Sequence, residues 1–305
     1  KVEKATVSVL MVQSPLFMCY NSIIENISKS NPQLGGCFLI CRKGDDRLKA
    51  IKCDLPSNIS MLELHTFADE HIGDEHSDIE RIKKRIQYVA EHKNAYCVLN
   101  GDILDYASRS SIGDIETREF NIMGQLEKAV ELFEPIKDKI LCINSGNHEA
   151  RGYRKEGFDI SKVIAMQLGI SDKYSPTSAI IFLRFGKTSG NTHYRPQRYT
   201  VYINHGSGGG RKEGAKAIRL ADMASIVDAD IYIHSHTHLP MIMKQGFFRV
   251  DVCNSAISHV TKLFVNTAAN LDYGGYGEAQ EYKPSSTDTP VIYLNGSRKE
   301  MNAKL

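Results

Sequence analysis

The sequence predicts an α/β fold, and three observations carry the prediction. Short apolar runs of strand length recur after residue 50 and alternate with amphipathic helical stretches. The runs end in clusters of Asp, Asn and His, the pattern expected where functional loops gather at the carboxyl ends of parallel strands. One cluster, Ile231 to Pro240 (IYIHSHTHLP), sets His234, His236 and His238 at alternate positions straight after an apolar run. On an extended backbone all three point to one face, and an imidazole trio there suits divalent zinc, iron or manganese.

Residues 1–47 read as an N-terminal extension, with an apolar run at Val7 to Val12, a helical stretch through Tyr20 to Ser28, and the breakers SNPQLGG and RKGDDR. Regular alternation starts near Ala50. IKCDLP and MLELHTF read as strands, and the second runs into Ala68, Asp69, Glu70 and His71. Ile79 to His92 places Ile79, Ile82, Ile86 and Val89 on one helical face and Arg81, Lys83, Lys84 and Arg85 around the other. Strand AYCVLN then leads to Gly101 and Asp102, a polar segment including Arg109 to Gly113, and a helix from about Phe120 to Phe133 that Pro135 closes. KILCIN is the next strand and ends at Ser145, Gly146, Asn147, His148 and Glu149. A helix at Ile160 to Leu168 precedes strands AIIFLRF and RYTVYIN, after which His205 opens the HGSGGG stretch. A helix from Ala215 to Ile226 and strand DIYI lead to the histidine cluster, and FFRVDVC and TPVIYL supply strands in the tail.

Composition bounds the classes. With 305 residues and 42% hydrophobic content the chain can bury a large core, as one big α/β domain or two smaller ones. A net charge of +2 does not make nucleic acid the default partner, though a local basic patch is compatible with it. The seven cysteines are an odd number, and several lie in apolar runs such as AYCVL and ILCIN, so reduced, buried thiols and a cytoplasmic location are expected. Cys37 and Cys41 have no second pair at zinc-ribbon distance and are read as core residues. No apolar run reaches the ~18 residues a membrane span needs, and Gln13 and Ser14 interrupt the amino-terminal patch too early for a signal peptide. No membrane partner is expected.

Collected in order, the strand-end residues are Asp69 and His71, Asp102, Asn147 and His148, His205, then His236 and His238. This order resembles the calcineurin-like metallophosphoesterase family, whose signature runs Asp-x-His, Gly-Asp, Gly-Asn-His-Asp/Glu, a lone His, and Gly-His-x-His. The resemblance covers about Leu48 to Leu294, and loop details look somewhat like phage or prophage phosphoesterases. It implies a β-sandwich of two mixed sheets flanked by helices, with residues 48–305 as the metallophosphoesterase domain and the metal site at the strand carboxyl ends. It also implies two divalent ions, manganese foremost, with iron, zinc or nickel as alternatives. Asp69, His71 and His238 would hold the first ion, Asn147, His205 and His236 the second, and Asp102 both. His148 would act on the substrate. Ser235 departs from the pattern, where the family usually has glycine, and His234 matches no ligand position and is read as a supporting or packing residue.

What the resemblance implies chemically is hydrolysis of a phosphate ester, a phosphodiester in first place. Two metals about 3.5–4 Å apart lower the pKa of a shared water and clamp the phosphoryl oxygens. Arg151 is a candidate phosphate contact, since a guanidinium grips two oxygens, and Arg211 beside the Gly206 to Gly210 run is another. Asp105 is read either as orienting His148 or a metal ligand, or as a loop cap. Nucleic acid or a nucleotide is an open substrate class, and Arg195, Arg198, Arg211, Lys212, Lys216 and Arg219 are the basic residues that would line a groove. The alternatives are a protein or small-molecule phosphomonoesterase and, from another class, a non-catalytic scaffold resembling the retromer subunit.

Overall fold

Strand-forming and helix-forming segments sort into two sheets and their covering helices. The computed structural model describes residues 48–106, 121–190, 195–274, 277–278 and 281–305. The expected extension 1–47 with Cys19, Cys37 and Cys41, and the segment Arg109 to Gly113, lie outside these residues.

One sheet contains β1 (Lys49–Asp54), β6 (Ser178–Phe185), β7 (Gln197–Asn204), β8 (Ile231–His234), β9 (Met241–Asp251) and β10 (Ala256–Asn266), in the order β1-β6-β7-β8-β10-β9. The other contains β2 (Met61–Phe67), β3 (Ala95–Asn100), β4 (Ile140–Asn144), β5 (Tyr174–Ser175), β11 (Val291–Asn295) and β12 (Met301–Lys304), in the order β12-β11-β2-β3-β4-β5. Both are mixed. β2, β3, β4 and β5 run parallel while β11 pairs antiparallel to β2; in the first sheet β7, β8 and β10 run parallel and β9 antiparallel.

Alternation along the strands decides which face each side chain serves. Leu62, Leu64, Val98 and Leu141 from one sheet meet Ile181, Leu183, Val201, Ile203, Ile231 and Ile233 from the other, so the two sheets pack face to face. The alternate set, Phe67, Cys97, Leu99 and Ile140, packs under helices α1 (Ile79–Glu91), α2 (Ile122–Phe133) and α4 (Ile160–Gln167), while α3 (Asn147–Glu156) lies between α2 and α4 in the chain. On the opposite outer face α5 (Glu213–Ile226) lays Leu220 and Met223 on Tyr202, Tyr232 and Phe264. The carboxylates of Asp78 and Asp159 and the amide of Asn121 accept the N–H groups of Arg81, Lys162 and Gly124, capping α1, α4 and α2.

The expected two-sheet α/β architecture is therefore the observed one. Two short strands, β5 and β12, and two longer elements, β10 and α3, are absent from the sequence reading. β10 is a full strand whose pattern is obscured by Lys262, buried with its ammonium 2.7 Å from Asp228 Oδ1 and 3.0 Å from the Tyr232 hydroxyl. α3 is a helix without an apolar stripe, burying only Glu149 and Gly152, and it ends at Gly157 in the left-handed conformation. The thiols of Cys53, Cys97 and Cys142 are buried as expected, but Cys253 is exposed, because it sits in the turn joining β9 to β10. Among the described residues no helix is long and apolar enough to cross a membrane.

Candidate metal centre

Each expected site residue stands one to four residues beyond the carboxyl end of a strand. Asp69 and His71 follow β2, Asp102 follows β3, Asn147 and His148 follow β4, His205 follows β7, and His236 and His238 follow β8. The loops that carry them are sharply bent. Among the described residues eight non-glycine positions have φ in the left-handed region, and Asp69, His71, Asp102, His236 and His238 are five of them. Such conformations cost on the order of 1–3 kcal/mol each and persist only where the surroundings impose them.

This corrects the extended reading of the histidine cluster. β8 ends at His234, and the left-handed turns at His236 and His238 redirect the chain so that these two rings do not share a face with His234. His234 is buried and donates from Nδ1 to Asn266 Oδ1 at 2.7 Å.

The bends are held by the ligands' own hydrogen bonds. Asp69 N–H donates to the Gly101 carbonyl at 3.1 Å, His71 N–H to the Asp102 carbonyl at 3.1 Å, and His236 N–H to Asp69 Oδ2 at 2.9 Å. Glu149, fully buried, accepts three main-chain N–H groups, from Asp102 at 3.0 Å, Leu104 at 3.1 Å and Gly146 at 2.9 Å. Gly146 has no room for a side chain, because a Cβ there would overlap the Asp102 carboxylate.

Two trios of ligand atoms result. Asp69, His71 and His238 form one and Asp102, His205 and His236 the other, each with its donor atoms within 4.8 Å of one another. Asp102 also groups with His71 and His148, which places it between the trios. His238 Nε2 is 3.2 Å from Asp69 Oδ1, and His205 Nε2 is 3.1 Å from both Asp102 Oδ2 and Asn147 Oδ1. His71 Nε2 is buried without a hydrogen bond, an arrangement that is costly unless a cation receives its lone pair.

Charge points the same way. Burial pushes the Asp69 carboxyl up, but His238 and His205 outweigh it and hold it at about 2; Asp102 is likewise held far down, against burial, by His205 and His148. Burial pulls His205 down, yet Asp102 and Asp69 raise it to about 10, and Asp102 and Asp105 raise His148 to about 9 against its burial. Burial and the neighbouring His148 keep His71 neutral, down to about 3, and burial with His205 takes His236 to about 4. Two buried carboxylates thus demand positive charge, which protons on His205 and His148 supply here. Neutral imidazole, carboxylate and amide oxygen are a donor set that fits divalent cations of borderline hardness.

His148 is held differently from the two trios. Its Nδ1 donates to the Asp105 carbonyl at 2.5 Å, with Asp105 Oδ1 at 3.4 Å, so Nε2 faces the site, 3.9 Å from Asp102 Oδ2. Asp105 orients His148, one of the two roles left open by the sequence. A cavity of about 650 Å³ opens above the trios, lined by His71, Asp102, Asn147, His148, His236 and His238 together with Arg151, Lys155, Arg211 and Lys216. Arg211 stacks over Tyr282 at 5.3 Å. Of the six basic residues considered for a groove, Arg211 and Lys216 line this cavity while Arg195, Arg198, Lys212 and Arg219 do not.

The sequence matches the calcineurin-like phosphoesterase family over residues 71–240, which is more than half of the chain. The chain belongs to that family. Metal-dependent hydrolysis of phosphate esters is the chemistry this membership assigns. No curated protein sequence is significantly similar to the chain. Among solved structures it is similar to a predicted phosphoesterase from Streptococcus pneumoniae (13% identity, 80% of this chain and 90% of that one, TM-score 0.34). It is also similar to the Pseudomonas putida nuclease MPE (12% identity, 79% and 87%, TM-score 0.32) and to zinc-complexed Vps29 from Entamoeba histolytica (10% identity, 80% and 97%, TM-score 0.35).

The sequence reading of this phosphoesterase missed the groups that hold the ligands in place. Asn100, Asn144, Asn204 and Asn266 end β3, β4, β7 and β10, and a repeated asparagine at the last position of apolar strands was the available signal. Glu149 stands in the Gly-Asn-His-Glu stretch, but its role was not legible there, since its three acceptor contacts come from main-chain groups far apart in sequence or across a turn.

Proposed function

We propose that this phosphoesterase is a dinuclear phosphodiesterase. The observation that carries the reading is the pair of candidate ligand trios with Asp102 between them, set in the floor of a cavity that Arg151 and Arg211 also line. Asp69, His71 and His238 would hold one ion and Asn147, His205 and His236 the other, with Asp102 shared. Manganese is the ion proposed, and iron, zinc or nickel suit the same donors. When bound, the pair supplies Lewis acidity toward phosphoryl oxygens and toward the attacking water.

The chain's own residues do the rest. Arg151 and Arg211 line the cavity around the trios and bind non-bridging phosphate oxygens, orienting the ester for in-line attack. His148, held through Nδ1 by Asp105, presents Nε2 to the leaving group. As the bond from water oxygen to phosphorus forms and the ester P–O bond breaks, Nε2 gives its proton to the departing alkoxide, which leaves as the alcohol; the water keeps one proton on the phosphate product and releases the other to solvent, from which the imidazole is protonated again. The cavity extends past the ligands to Leu271, Tyr273 and Tyr282, giving room for a second ester substituent, and this favours a diester over a monoester. A nucleotide or the end of a nucleic acid strand is a substrate of that size. Residues 48–305 would form the catalytic domain with 1–47 appended, and a cytoplasmic location is part of the proposal.

The test is to load purified protein with Mn²⁺ and assay an aryl phosphodiester and an aryl phosphomonoester, with His148→Ala as control. Preferential turnover of the diester is expected. Turnover of the monoester alone overturns the diester assignment, and absence of turnover with two bound ions favours a scaffold.

A further inference from the structure

We infer that Ser235 is a positioning residue, which through Asn100 holds the His205 imidazole in the orientation that ligation requires; the inference rests on the metal-binding reading above. Ser235 stands where the family usually has glycine, and it is completely buried. Its hydroxyl oxygen accepts a hydrogen bond from Asn100 Nδ2 at 2.8 Å. The second hydrogen of the same amide goes to the Asn204 carbonyl at 3.1 Å, and Asn100 Oδ1 accepts from Asn144 Nδ2 at 3.0 Å. Asn144 Oδ1 in turn accepts from the Cys142 thiol at 3.3 Å.

The geography of these bonds gives them a role. Asn100 and Asn144 end β3 and β4 of one sheet, whereas Asn204 ends β7 and Ser235 follows β8 of the other. One amide side chain therefore ties the carboxyl ends of both sheets together directly beneath the site. The main-chain carbonyl of this same Asn100 accepts the Nδ1 hydrogen of His205 at 2.7 Å, and Ser235 N–H donates to the His205 carbonyl at 3.0 Å. A carbonyl can only accept, so Nδ1 must carry a hydrogen and Nε2 is left facing Asp102 and Asn147. His205 is thus held at its ring and at its backbone by two residues that are themselves bonded to each other.

Glycine at 235 cannot make this link. One hydrogen of Asn100 Nδ2 would lose its acceptor in a site without water access, and the amide would rotate to recover one at the expense of Asn144 or Asn204. The ends of β3 and β7 would loosen, and the bond from Asn100 to His205 lies between them.

The experiment uses Ser235→Ala and Ser235→Gly in the full chain. Calorimetric titration of metal-stripped protein with Mn²⁺ should show one binding step weakened about tenfold, the range for loss of a group that orients a ligand, with the other step retained. Proton NMR of the metal-free protein should show the downfield His205 Nδ1–H signal, assigned by its absence in His205→Ala, broadened by solvent exchange in both Ser235 variants. In a His205→Ala background Ser235→Ala should weaken binding no further. Wild-type affinities with an unchanged Nδ1–H signal overturn the inference, and so do additive losses in the double variant. Failure of the wild-type protein to bind Mn²⁺ would instead overturn the metal reading, while the NMR comparison still decides whether Ser235 controls the His205 ring.

Discussion

Asp102 contributes a carboxylate to the space between two ligand trios, and its backbone, bent into the left-handed region, is held by Glu149 from one side and pairs with His71 N–H on the other. Removing its charge while keeping its shape isolates the electrostatic part of that role. Asp102→Asn is expected to fold, to bind metal more than about 100-fold more weakly, and to lose turnover; elemental analysis after gel filtration and a steady-state assay are the checks. His148→Ala should behave in the opposite way. Because His148 contacts Asp105 and faces the cavity without belonging to the two main trios, the variant should keep both ions and lose about 10²–10⁴-fold in kcat, the usual worth of a general acid. Equal metal loss in the two variants would show that His148 is a ligand.

At the scale of elements, the site loop after β2 is anchored to α1 by one ion pair. Glu70, between Asp69 and His71, is fully buried, and Arg85 of α1 reaches it with Nη1 at 2.7 Å. The same guanidinium donates to the Thr66 carbonyl at 2.5 Å and lies over the Phe67 ring at 4.4 Å. Burial pushes the Glu70 carboxyl up and Arg85 opposes it, so the charge is tolerable only with its partner. Arg85→Leu should therefore destabilise the protein by about 3–5 kcal/mol in urea denaturation, and the double variant with Glu70→Leu should recover much of that loss. A single variant costing less than about 1 kcal/mol would mean that Glu70 is neutral and the pair is not an anchor. The helix itself was legible: Ile82, Ile86 and Val89 repeat at helical spacing, and all three are buried. α3 was not, because its buried positions are a glutamate bonded to three main-chain N–H groups and a glycine against the Tyr106 hydroxyl, neither of which marks an apolar face. Lys262 concealed β10 for a related reason, since a lysine paired with Asp228 and stacked 4.5 Å from Phe247 reads as polar while serving as packing.

Across the whole molecule, the proposed ligands come from both sheets: Asp69, Asp102 and Asn147 from the β2, β3 and β4 side, His205, His236 and His238 from the β7 and β8 side. The candidate residues and their order could be read from sequence because each sits beside a strand end. The turn that separates His234 from His236 could not, because left-handed φ at histidine follows from tertiary hydrogen bonds such as His236 N–H to Asp69 Oδ2. A metal bound by these residues would cross-link the two sheets, and stability should report it. An ion that binds only the folded chain stabilises by about 2.7 kcal/mol at a free concentration of 100 Kd. For a chain of this size each kcal/mol raises Tm by roughly 2–4 °C, so one saturated site predicts an increase of about 5–10 °C over chelator-treated protein, and two sites more. Differential scanning calorimetry with and without Mn²⁺ measures it. His205→Ala and His238→Ala, which remove one ligand from different trios and different proposed ions, should each abolish only part of the increase. If either variant alone erased it completely while the other left it untouched, the protein would hold a single ion and the dinuclear assignment would fall.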